Sequence, residues 1–264
     1  MGKLHFDYWM EILYTEPVTE CHYTVKCLPQ NTDMQKISEL NIEIMPRHDY
    51  QENEDSFGNL MIYDNLYCEH NRFSFRVSGI AVTGLAEGDR EKEGKFSGIY
   101  CCPHGLNKAG DEIKAYFHEQ MKNIGFDDSV YQIAIYLMKC LHRDFIYEKG
   151  ITNVNTTAEE AWKYRHGVCQ DYAHIFIALC HLAKIPARYV TGMMIGEGYS
   201  HAWVEVLADK VWYGLDPTNG CIVADNYIKI GIGRDANDCV INKGIITGGG
   251  LQNLAVSVRV GKIS

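Results

Sequence analysis

Apolar and polar residues alternate along the first hundred residues of the chain. Four segments show this two-residue period together with many β-branched and aromatic side chains, namely residues 10–14, 24–28, 40–44 and 72–77. Such alternation predicts strands that have one face toward solvent. Turn-forming residues separate these segments at Pro17, 29–31, Pro46, 58–59 and 88–89. The pattern predicts an antiparallel β-sandwich or barrel of about six to eight strands.

Residues 1–104 carry no pattern that indicates catalysis. The run of Asp55, Phe57, Gly58 and Asn59 is typical of a hairpin turn. We therefore interpret residues 1–104 as a β-rich N-terminal domain with a structural role.

The spacing of apolar residues becomes helical near residue 105. Asp111 is predicted to cap a first helix that ends at Gly125, and Ser129 is predicted to start a second. Residues 157–160, Thr-Ala-Glu-Glu, form a capping box, which predicts a short third helix. A fourth helix follows after one tight turn.

Strand patterns return after Pro186. The predicted strands are residues 187–194, 201–207 and 211–216, and a last one at 254–260 follows a glycine-rich tail. Helices followed by an antiparallel sheet indicate an α+β layer. We therefore predict an α+β domain over residues 105–264, in which helices pack on an antiparallel sheet.

The predicted fourth helix begins at a cysteine, Cys169. Gly167 is expected to permit a tight turn of positive φ just before it, and Pro186 ends the helical pattern. Unpaired N–H groups and the positive end of the helix dipole favour the thiolate form of a cysteine in the first turn. Taken alone, Cys169 is more typical of a cysteine that simply packs in a core.

A cysteine nucleophile needs a base, and the base needs an orienting partner. His201 begins one predicted strand and Asp216 ends the next, and their midpoint lies next to the turn at 209–210. On an antiparallel hairpin this spacing predicts that the two side chains are close neighbours across the strands. Each residue alone is typical of a strand end or a turn. Their combination with Cys169 favours a catalytic site.

Composition and charge narrow the classes of partner. The net charge of −9 and the pI of about 5.6 argue against nucleic acid or an anionic membrane surface as the main partner. No apolar run approaches the ~20 residues of a membrane span. The N-terminus shows no signal-peptide pattern, so a cytoplasmic location is expected.

The ten cysteines are expected to be reduced, because several fall singly on apolar positions, as Cys27, Cys140 and Cys180 do. Residues 101–104, Cys-Cys-Pro-His, lack the paired spacing of zinc sites and are predicted to form a loop at a strand end. No calcium-binding spacing is present, and Asp225, Asp235 and Asp238 are interpreted as ordinary loop acids. We expect no metal ion and no cofactor.

Four further motifs accompany these residues. They are residues 167–174 (GVCQDYAH), 185–192 (IPARYVTG), 200–206 (SHAWVEV) and 214–219 (GLDPTN). Together they resemble the bacterial transglutaminase-like superfamily. The resemblance extends forward to residues 233–238, and backward through Tyr14, Pro17-Val18, Leu28-Pro29, Asp55, Phe57-Gly58-Asn59 and His70. Cys239 stands where this family more often has a hydrophobic residue such as valine.

The resemblance implies a papain-like α+β core with a triad of Cys169, His201 and Asp216. It also implies acyl transfer through a thioester, with a peptide or protein as substrate. The backbone N–H of Cys169 is one expected oxyanion donor. A second donor is expected from Tyr147 or Gln170, and both alternatives stay open.

Three activities are compatible with such a triad. Hydrolysis by a cysteine peptidase or amidase is the leading hypothesis, because bacterial members of the family are usually interpreted as proteases. Isopeptide formation by a protein-glutamine transglutaminase is the alternative, and a binding scaffold without catalysis is a third. The cleft is expected between the Cys169 helix and the sheet, bordered by the loop 195–200 and Trp203. Trp203 and Trp212 are interpreted equally well as core or as substrate-facing.

Overall fold

The computed structural model describes residues 1–90, 97–125 and 128–263. Its α-helices are α1 (Asp111–Met121), α2 (Val130–Asp144), α3 (Ala158–Tyr164) and α4 (Cys169–Leu182). Two short 3₁₀ helices span Ser97–Cys101 and Gly105–Asn107, close to the loop predicted at 101–104. The strands are β1 (Gly2–Val25), β2 (Gln35–Met45), β3 (Gln51–Glu54), β4 (Leu60–Leu66), β5 (His70–Thr83), β6 (Asp89–Arg90), β7 (Ile146–Tyr147), β8 (His166–Gly167), β9 (Ala187–Met194), β10 (Gly196–Gly198), β11 (His201–Ala208), β12 (Val211–Asp216), β13 (Cys221–Ile222), β14 (Tyr227–Gly233), β15 (Asn242–Gly248) and β16 (Gln252–Lys262).

Two antiparallel sheets, curled as half-barrels, contain these strands apart from a short parallel pair. The first sheet has the order β10-β16-β1-β4-β3, with β15 also paired to β1, and β5 paired to both β1 and β2. The second has the order β13-β12-β11-β9-β14, with β6 on β12, and β7 pairs with β8. The predicted α+β class is confirmed.

The longest strand, β1, runs through the turn predicted at Pro17. Before that point β1 pairs with β16 and β5, and after it with β15 and β4. The register shifts between Leu13 and Val18 against β5. A bulge of this kind accommodates a proline, which has no N–H to donate to the ladder. The turn prediction at Pro17 is therefore wrong, whereas the hairpin predicted at residues 55–59 joins β3 to β4.

The end of the chain returns to the first sheet. The predicted last strand is present as β16, which pairs with β1 along eleven residues from Leu4 to Tyr14. Strands β14 and β15, which were not predicted, lie in the tail before it. In addition, β6 pairs with β12 of the second sheet. The sheets therefore do not divide the chain at residue 104, and the division into 1–104 and 105–264 stays a prediction about folding units.

Two buried amide side chains join the sheets. The side chain of Gln35, on β2, bonds both the N–H and the carbonyl of Lys229 at 2.8 Å. The side chain of Asn59, in the β3–β4 turn, does the same with Ile232 at 2.7 Å. Because Lys229 and Ile232 both lie on β14, these amides bind the edge of the second sheet as a neighbouring strand would.

The helix starts follow their predicted caps in two cases out of three. Ser129 and Thr157 are the N-caps of α2 and α3 and form capping boxes, as predicted. Asp111 is instead the first residue of α1, and Gly110 is its N-cap. The carboxylate of Glu159 accepts the N–H groups of Gly110, Glu112 and Ile113. A side chain from α3 thus satisfies the donors that Asp111 was expected to satisfy. The helix ends at Met121, before Gly125.

Helix α4 lies at the centre of the α+β core. Every residue from Asp171 to Cys180 is buried, because α1, α2 and α3 pack around the helix and strands β9 and β11 lie against it. The core cluster includes Trp162, Phe176, Tyr189 and Val204. A helix held on all sides has a fixed direction, so the position of its first residue, Cys169, is also fixed.

Candidate active site

Cys169 occupies the first position of α4 and is partly exposed. Residues further along this helix are buried, so the helix presents its sulfur-bearing end to solvent and its body to the core. At the first helical position the backbone N–H has no partner within the helix, which leaves it available to an incoming oxygen. Cys169 therefore begins a helix, as predicted, and its role as a nucleophile stays a prediction.

The start of α4 is fixed by Asp171. Its Oδ2 accepts the N–H of Val168 at 2.8 Å and the hydroxyl of Thr152 at 2.6 Å. Burial raises the pKa of this carboxyl. Gly167 is not needed for a positive φ, contrary to the prediction, because that conformation occurs at Arg165 (φ 60°), the C-cap of α3. Glycine is needed at 167 because a Cβ there would lie 2.5 Å from Asp171 Oδ2.

His201 lies at the start of β11 and bonds Asp216 through Nε2, at 2.7 Å from Oδ2. This contact leaves Nδ1 of the ring for the cysteine. Burial alone would lower the pKa of His201, but hydrogen bonds to Asp216 and to Cys169 outweigh it and raise the pKa to about 9. The hairpin register pairs Val204 with Leu215, so His201 and Asp216 are diagonal neighbours rather than directly opposite.

Asp216 is fully buried and accepts hydrogen bonds on both oxygens. Oδ2 accepts from His201, from the Tyr227 hydroxyl and from the Asn219 amide, each at 2.7 Å. Oδ1 accepts the N–H groups of Thr218 and Asn219. Burial would raise the pKa of this carboxyl, but the bonds from His201, Tyr227 and Asn219 hold it below the ordinary value. Asp216 is thereby kept as a carboxylate in a single orientation.

Tyr227 and Asn219 were missed by the sequence reasoning. Asn219 follows the Asp216-Pro217 pair closely, so a turn that folds its amide back onto Asp216 was a signal within reach. Tyr227 comes from β14, which pairs with β9, and no local spacing connects it to Asp216. Only the order of strands in the second sheet brings its hydroxyl to the carboxylate.

The two tryptophans left open by the sequence belong to the core. Trp203 is 1% exposed; its ring stacks beside that of His201 at 6.3 Å and meets Tyr227 edge-on at 5.4 Å. Trp212 is 3% exposed and lies under the guanidinium of Arg188 at 4.2 Å. Trp203 therefore packs against the ring of His201, and both indoles are too buried to contact a substrate.

The two oxyanion candidates have different surroundings. The side-chain amide of Gln170 donates to the carbonyl of Val154 at 3.1 Å, so it holds the neighbouring loop. Tyr147 is half exposed and lies close enough to Cys169 that burial, and then the charge of that thiolate, raise the pKa of its hydroxyl. The pairing of β7 with β8 sets Tyr147 opposite Gly167, two residues before Cys169, and the role of Tyr147 as an oxyanion donor stays a prediction.

A second group of polar residues lies near the predicted loop at 101–104. One ligand atom each of His104, Asp235 and Asp238 lies within 4.8 Å of the others. These groups already have partners: Asp235 accepts from His104 Nδ1 at 3.0 Å and from the N–H groups of Leu106 and Asn237. Asp238 is paired with the guanidinium of Arg234. These hydrogen bonds hold the loop at residues 104–107 against residues 234–238. Asp235 is fully buried, so it differs from the ordinary loop acid that the sequence suggested.

Two family profiles match this sequence. The bacterial transglutaminase-like N-terminal region matches residues 6–82, and the transglutaminase-like superfamily matches residues 116–217. The second match contains Cys169, His201 and Asp216. The chain belongs to the transglutaminase-like superfamily. The resemblance stated from the motifs is thus confirmed, and the two matches together cover residues 6–82 and 116–217 of this transglutaminase-like chain.

A solved structure from Cytophaga hutchinsonii, described as a proposed cysteine protease, has the same fold. The alignment covers 100% of this transglutaminase-like chain and 91% of that one, with a TM-score of 0.79 and 20% sequence identity. At this identity the likeness concerns the fold.

None of the helices in the part of the chain that the structure describes has the length and apolar character of a membrane span.

Uncharacterised mycobacterial proteins are also similar to part of the chain. One from Mycobacterium leprae is 35% identical over 128 residues, which are 45% of this chain and 46% of the relative. One from Mycobacterium tuberculosis strain H37Rv is 37% identical over 122 residues, which are 40% and 39% of the two chains. The match thus spans less than half the length of these curated relatives.

Proposed function

We propose that the protein is a cysteine-dependent acyl-transfer enzyme that hydrolyses amide or peptide bonds through a thioester. The observation that carries this proposal is the arrangement of His201 between the buried carboxylate of Asp216 and the partly exposed Cys169. An imidazole oriented by a carboxylate and facing a thiol at a helix start is the arrangement that nucleophilic catalysis requires.

The chemistry follows from the protonation of His201. His201 holds the proton of the Cys169 thiol as an imidazolium, and the thiolate attacks the carbonyl carbon of the substrate amide, forming the C–S bond. The oxyanion lies at the N–H of Cys169. The C–N bond then breaks, and the departing amine or ammonia takes the proton from His201. Water, deprotonated by His201, attacks the thioester and releases a carboxylate, which restores the thiol.

Hydrolysis is favoured over transfer to an amine by the openness of the site. Cys169 is partly exposed, Tyr147 opposite Gly167 is 48% exposed, and Tyr199, two residues before His201, is 66% exposed. Water therefore reaches the thioester as readily as a lysine side chain does, and in bulk solution it is the more abundant nucleophile. A cross-linking enzyme would need a drier site.

We expect hydrolysis to be unaffected by an added amine. Incubating casein with the enzyme, with and without dansylcadaverine, is expected to release the same amounts of peptide and ammonia and to leave no dansyl group on the protein substrate. The measurements are an ammonia assay, mass spectrometry of the products and in-gel fluorescence, with Cys169→Ala as the blank. Dansyl incorporation that depends on Cys169 would identify the protein as a transglutaminase instead.

Iodoacetamide distinguishes an enzyme from a binding scaffold of the same fold. Cys169 is expected to be alkylated at least about tenfold faster than Cys68, which is exposed in the turn between β4 and β5. His201→Ala is expected to remove this difference. Peptide mapping at pH 7 over a time course gives both rates together. Equal rates at Cys169 and Cys68 would support the scaffold.

The pH dependence of catalysis is expected to follow His201. Its pKa in the folded protein, about 9, lies above the ordinary value of 6.5. The imidazolium form therefore persists through neutral pH and is lost as the pH rises through about 9. We expect kcat/KM to fall above that pH, because the ring no longer has a proton to give to the leaving amine. A rate profile from pH 5 to pH 11 measures this limb, and activity that is constant up to pH 11 would contradict the assignment.

A further inference from the structure

Two loops beside Cys169 carry large apolar side chains that face solvent. One loop joins α2 to α3 and contains Tyr147, Ile151 and Val154, which are 48%, 45% and 70% exposed. The other joins β9 to β11 and contains Tyr199, 66% exposed. We call these four side chains the apolar rim. Exposed apolar groups that gather at one place mark a binding surface more often than single ones do.

The apolar rim lies beside the segments that carry Cys169 and His201. The pairing of β7 with β8 sets Tyr147 opposite Gly167, two residues before Cys169, and Tyr199 precedes His201 by two residues. The carbonyl of Val154 binds the amide of Gln170, the residue after Cys169. The two loops also touch each other, because the ammonium of Lys149 lies 5.3 Å from the centre of the Tyr199 ring. The apolar rim therefore borders the approach to the sulfur on the sides of both Cys169 and His201.

The same two loops also carry charged side chains, with one carboxylate on each loop. Lys149 is engaged by the Tyr199 ring. Glu148 and Glu197 are 51% and 77% exposed at their side chains, and each has one basic partner, His166 at 3.6 Å and Arg259 at 3.7 Å. An acidic side chain placed here would meet two carboxylates, whereas an apolar side chain would bury its surface against two phenol rings.

We propose that the apolar rim determines which acyl donor reacts. The favoured donor is a peptide segment whose residue at the attacked carbonyl carries a large apolar side chain, and an acidic side chain at that position is disfavoured. This inference rests on the proposed acyl transfer and adds the substrate class to it. We expect the two rings to contact the substrate side chain next to the attacked carbonyl. Tyr147 and Tyr199 lie close in sequence or strand pairing to Cys169 and His201, which act on that carbonyl.

The test uses acetyl-Ala-Xaa chloromethyl ketones in which Xaa is Leu, Ala or Glu. The thiolate of Cys169 attacks the methylene carbon, the S–C bond forms, the C–Cl bond breaks and chloride leaves. Intact-protein mass spectrometry gives the second-order rate, and each rate is divided by that of iodoacetamide to remove differences in thiolate reactivity. The Leu probe is expected to react about tenfold faster than the Ala probe, and faster still than the Glu probe.

The variants locate the preference on the two rings. Tyr147→Ala and Tyr199→Ala are each expected to lower the Leu/Ala rate ratio at least about threefold. Tyr147→Phe keeps the ring and is expected to keep the ratio, although a role of the hydroxyl as an oxyanion donor would lower all three rates together. Tyr67→Ala is the matched control, since Tyr67 is 69% exposed in the turn between β4 and β5, and this variant is expected to leave the ratio unchanged.

Each contrary outcome has its own meaning. Equal rates for the three probes, with iodoacetamide still selective for Cys169, would overturn the role of the apolar rim and leave the acyl-transfer proposal standing. A preference for Leu that survives in both alanine variants would also overturn it, because recognition would then lie elsewhere. Slow iodoacetamide labelling of Cys169 that does not change in His201→Ala would remove the proposed function, and this inference with it.

Discussion

Asp216→Asn is expected to lower kcat/KM by about a thousandfold or more, which is the size of effect seen when the carboxylate of a nucleophile–histidine–carboxylate triad is replaced by an amide. Oδ2 of Asp216 accepts three donors, from His201, Tyr227 and Asn219. An amide nitrogen in the place of Oδ2 would point its own hydrogens at these three donors. An amide oxygen in that place would leave the nitrogen facing the N–H groups of Thr218 and Asn219. Neither orientation of the amide satisfies both sides of the site.

The same substitution is expected to change the pH dependence. The carboxylate is one of the groups that raise the pKa of His201 to about 9, so its loss should move the alkaline limb of kcat/KM to lower pH. Steady-state kinetics from pH 5 to pH 11 measure the rate and the limb together. A structural defect alone would lower the rate without moving the limb, so the shift separates the two explanations.

Asp209→Asn is the matched control for this experiment. Asp209 lies in the turn between β11 and β12, is exposed, and has a φ of 50°. Asparagine adopts this conformation readily, so the fold should tolerate the change. Asp209→Asn is expected to keep the activity of the unmodified protein. An Asp216→Asn protein that is folded and retains more than about a tenth of that activity would contradict the role given to Asp216.

Residues of the candidate site that depend on local patterns could be predicted from the sequence. The apolar spacing after Cys169 predicts a helix that starts at this residue. The position of the hairpin turn between His201 and Asp216 predicts that these two side chains are neighbours. Both inferences use contacts between segments that are adjacent in the chain, where the periods of helix and strand set the geometry. The structure brings these three side chains together, although the hairpin register makes His201 and Asp216 diagonal rather than opposite.

Features that depend on distant segments could not be predicted in this way. Glu159 satisfies the start of α1 from another helix, and Tyr227 reaches Asp216 from a strand that is not part of the hairpin. The proline at position 17 lies inside β1 because the strand changes its partners there. Each case involves a hydrogen-bond donor or acceptor whose partner is fixed by tertiary packing, and the alternation of apolar residues carries no information about that partner.

Glycine is required at position 167, but for a different physical reason from the one that the sequence suggested. A glycine before a helix suggested a left-handed turn, since glycine adopts positive φ without strain. In the structure Arg165 has that conformation, and Gly167 instead makes room for the carboxylate of Asp171. The glycine therefore contributes to the placement of Cys169 through Asp171, which also binds Thr152 of the loop that carries the apolar rim.

The second sheet contains a buried ionic cluster, which we define as Asp89, Arg188, Glu205 and Lys229. Glu205 is 1% exposed and accepts from Arg188 Nε and from Lys229 Nζ, each at 2.7 Å. Lys229 also binds Asp89. Burial alone would raise the pKa of Asp89, but Lys229 outweighs it and lowers the pKa. Two cations and two carboxylates thus balance one another in the protein interior.

Glu205→Ala is expected to destabilise the protein by about 3–5 kcal/mol, because it leaves Arg188 and Lys229 buried with a single carboxylate, Asp89. Denaturant unfolding at pH 7 measures the change. Glu119→Ala is the matched control: Glu119 pairs with Lys122 on the exposed face of α1, and its loss is expected to change stability by less than about 0.5 kcal/mol. Combining Glu205→Ala with Lys229→Met removes one of the uncompensated cations and is expected to restore part of the loss.

The contribution of this cluster also has a defined dependence on pH. Because the folded-state pKa of Asp89 is depressed below the ordinary value of 3.8, its contribution to stability is present above that pH and is lost as the pH falls through the folded-state pKa. The difference between the unmodified protein and Glu205→Ala should therefore be constant from pH 5 to pH 7. A Glu205→Ala protein no less stable than Glu119→Ala over this range would show that the buried charges do not depend on one another.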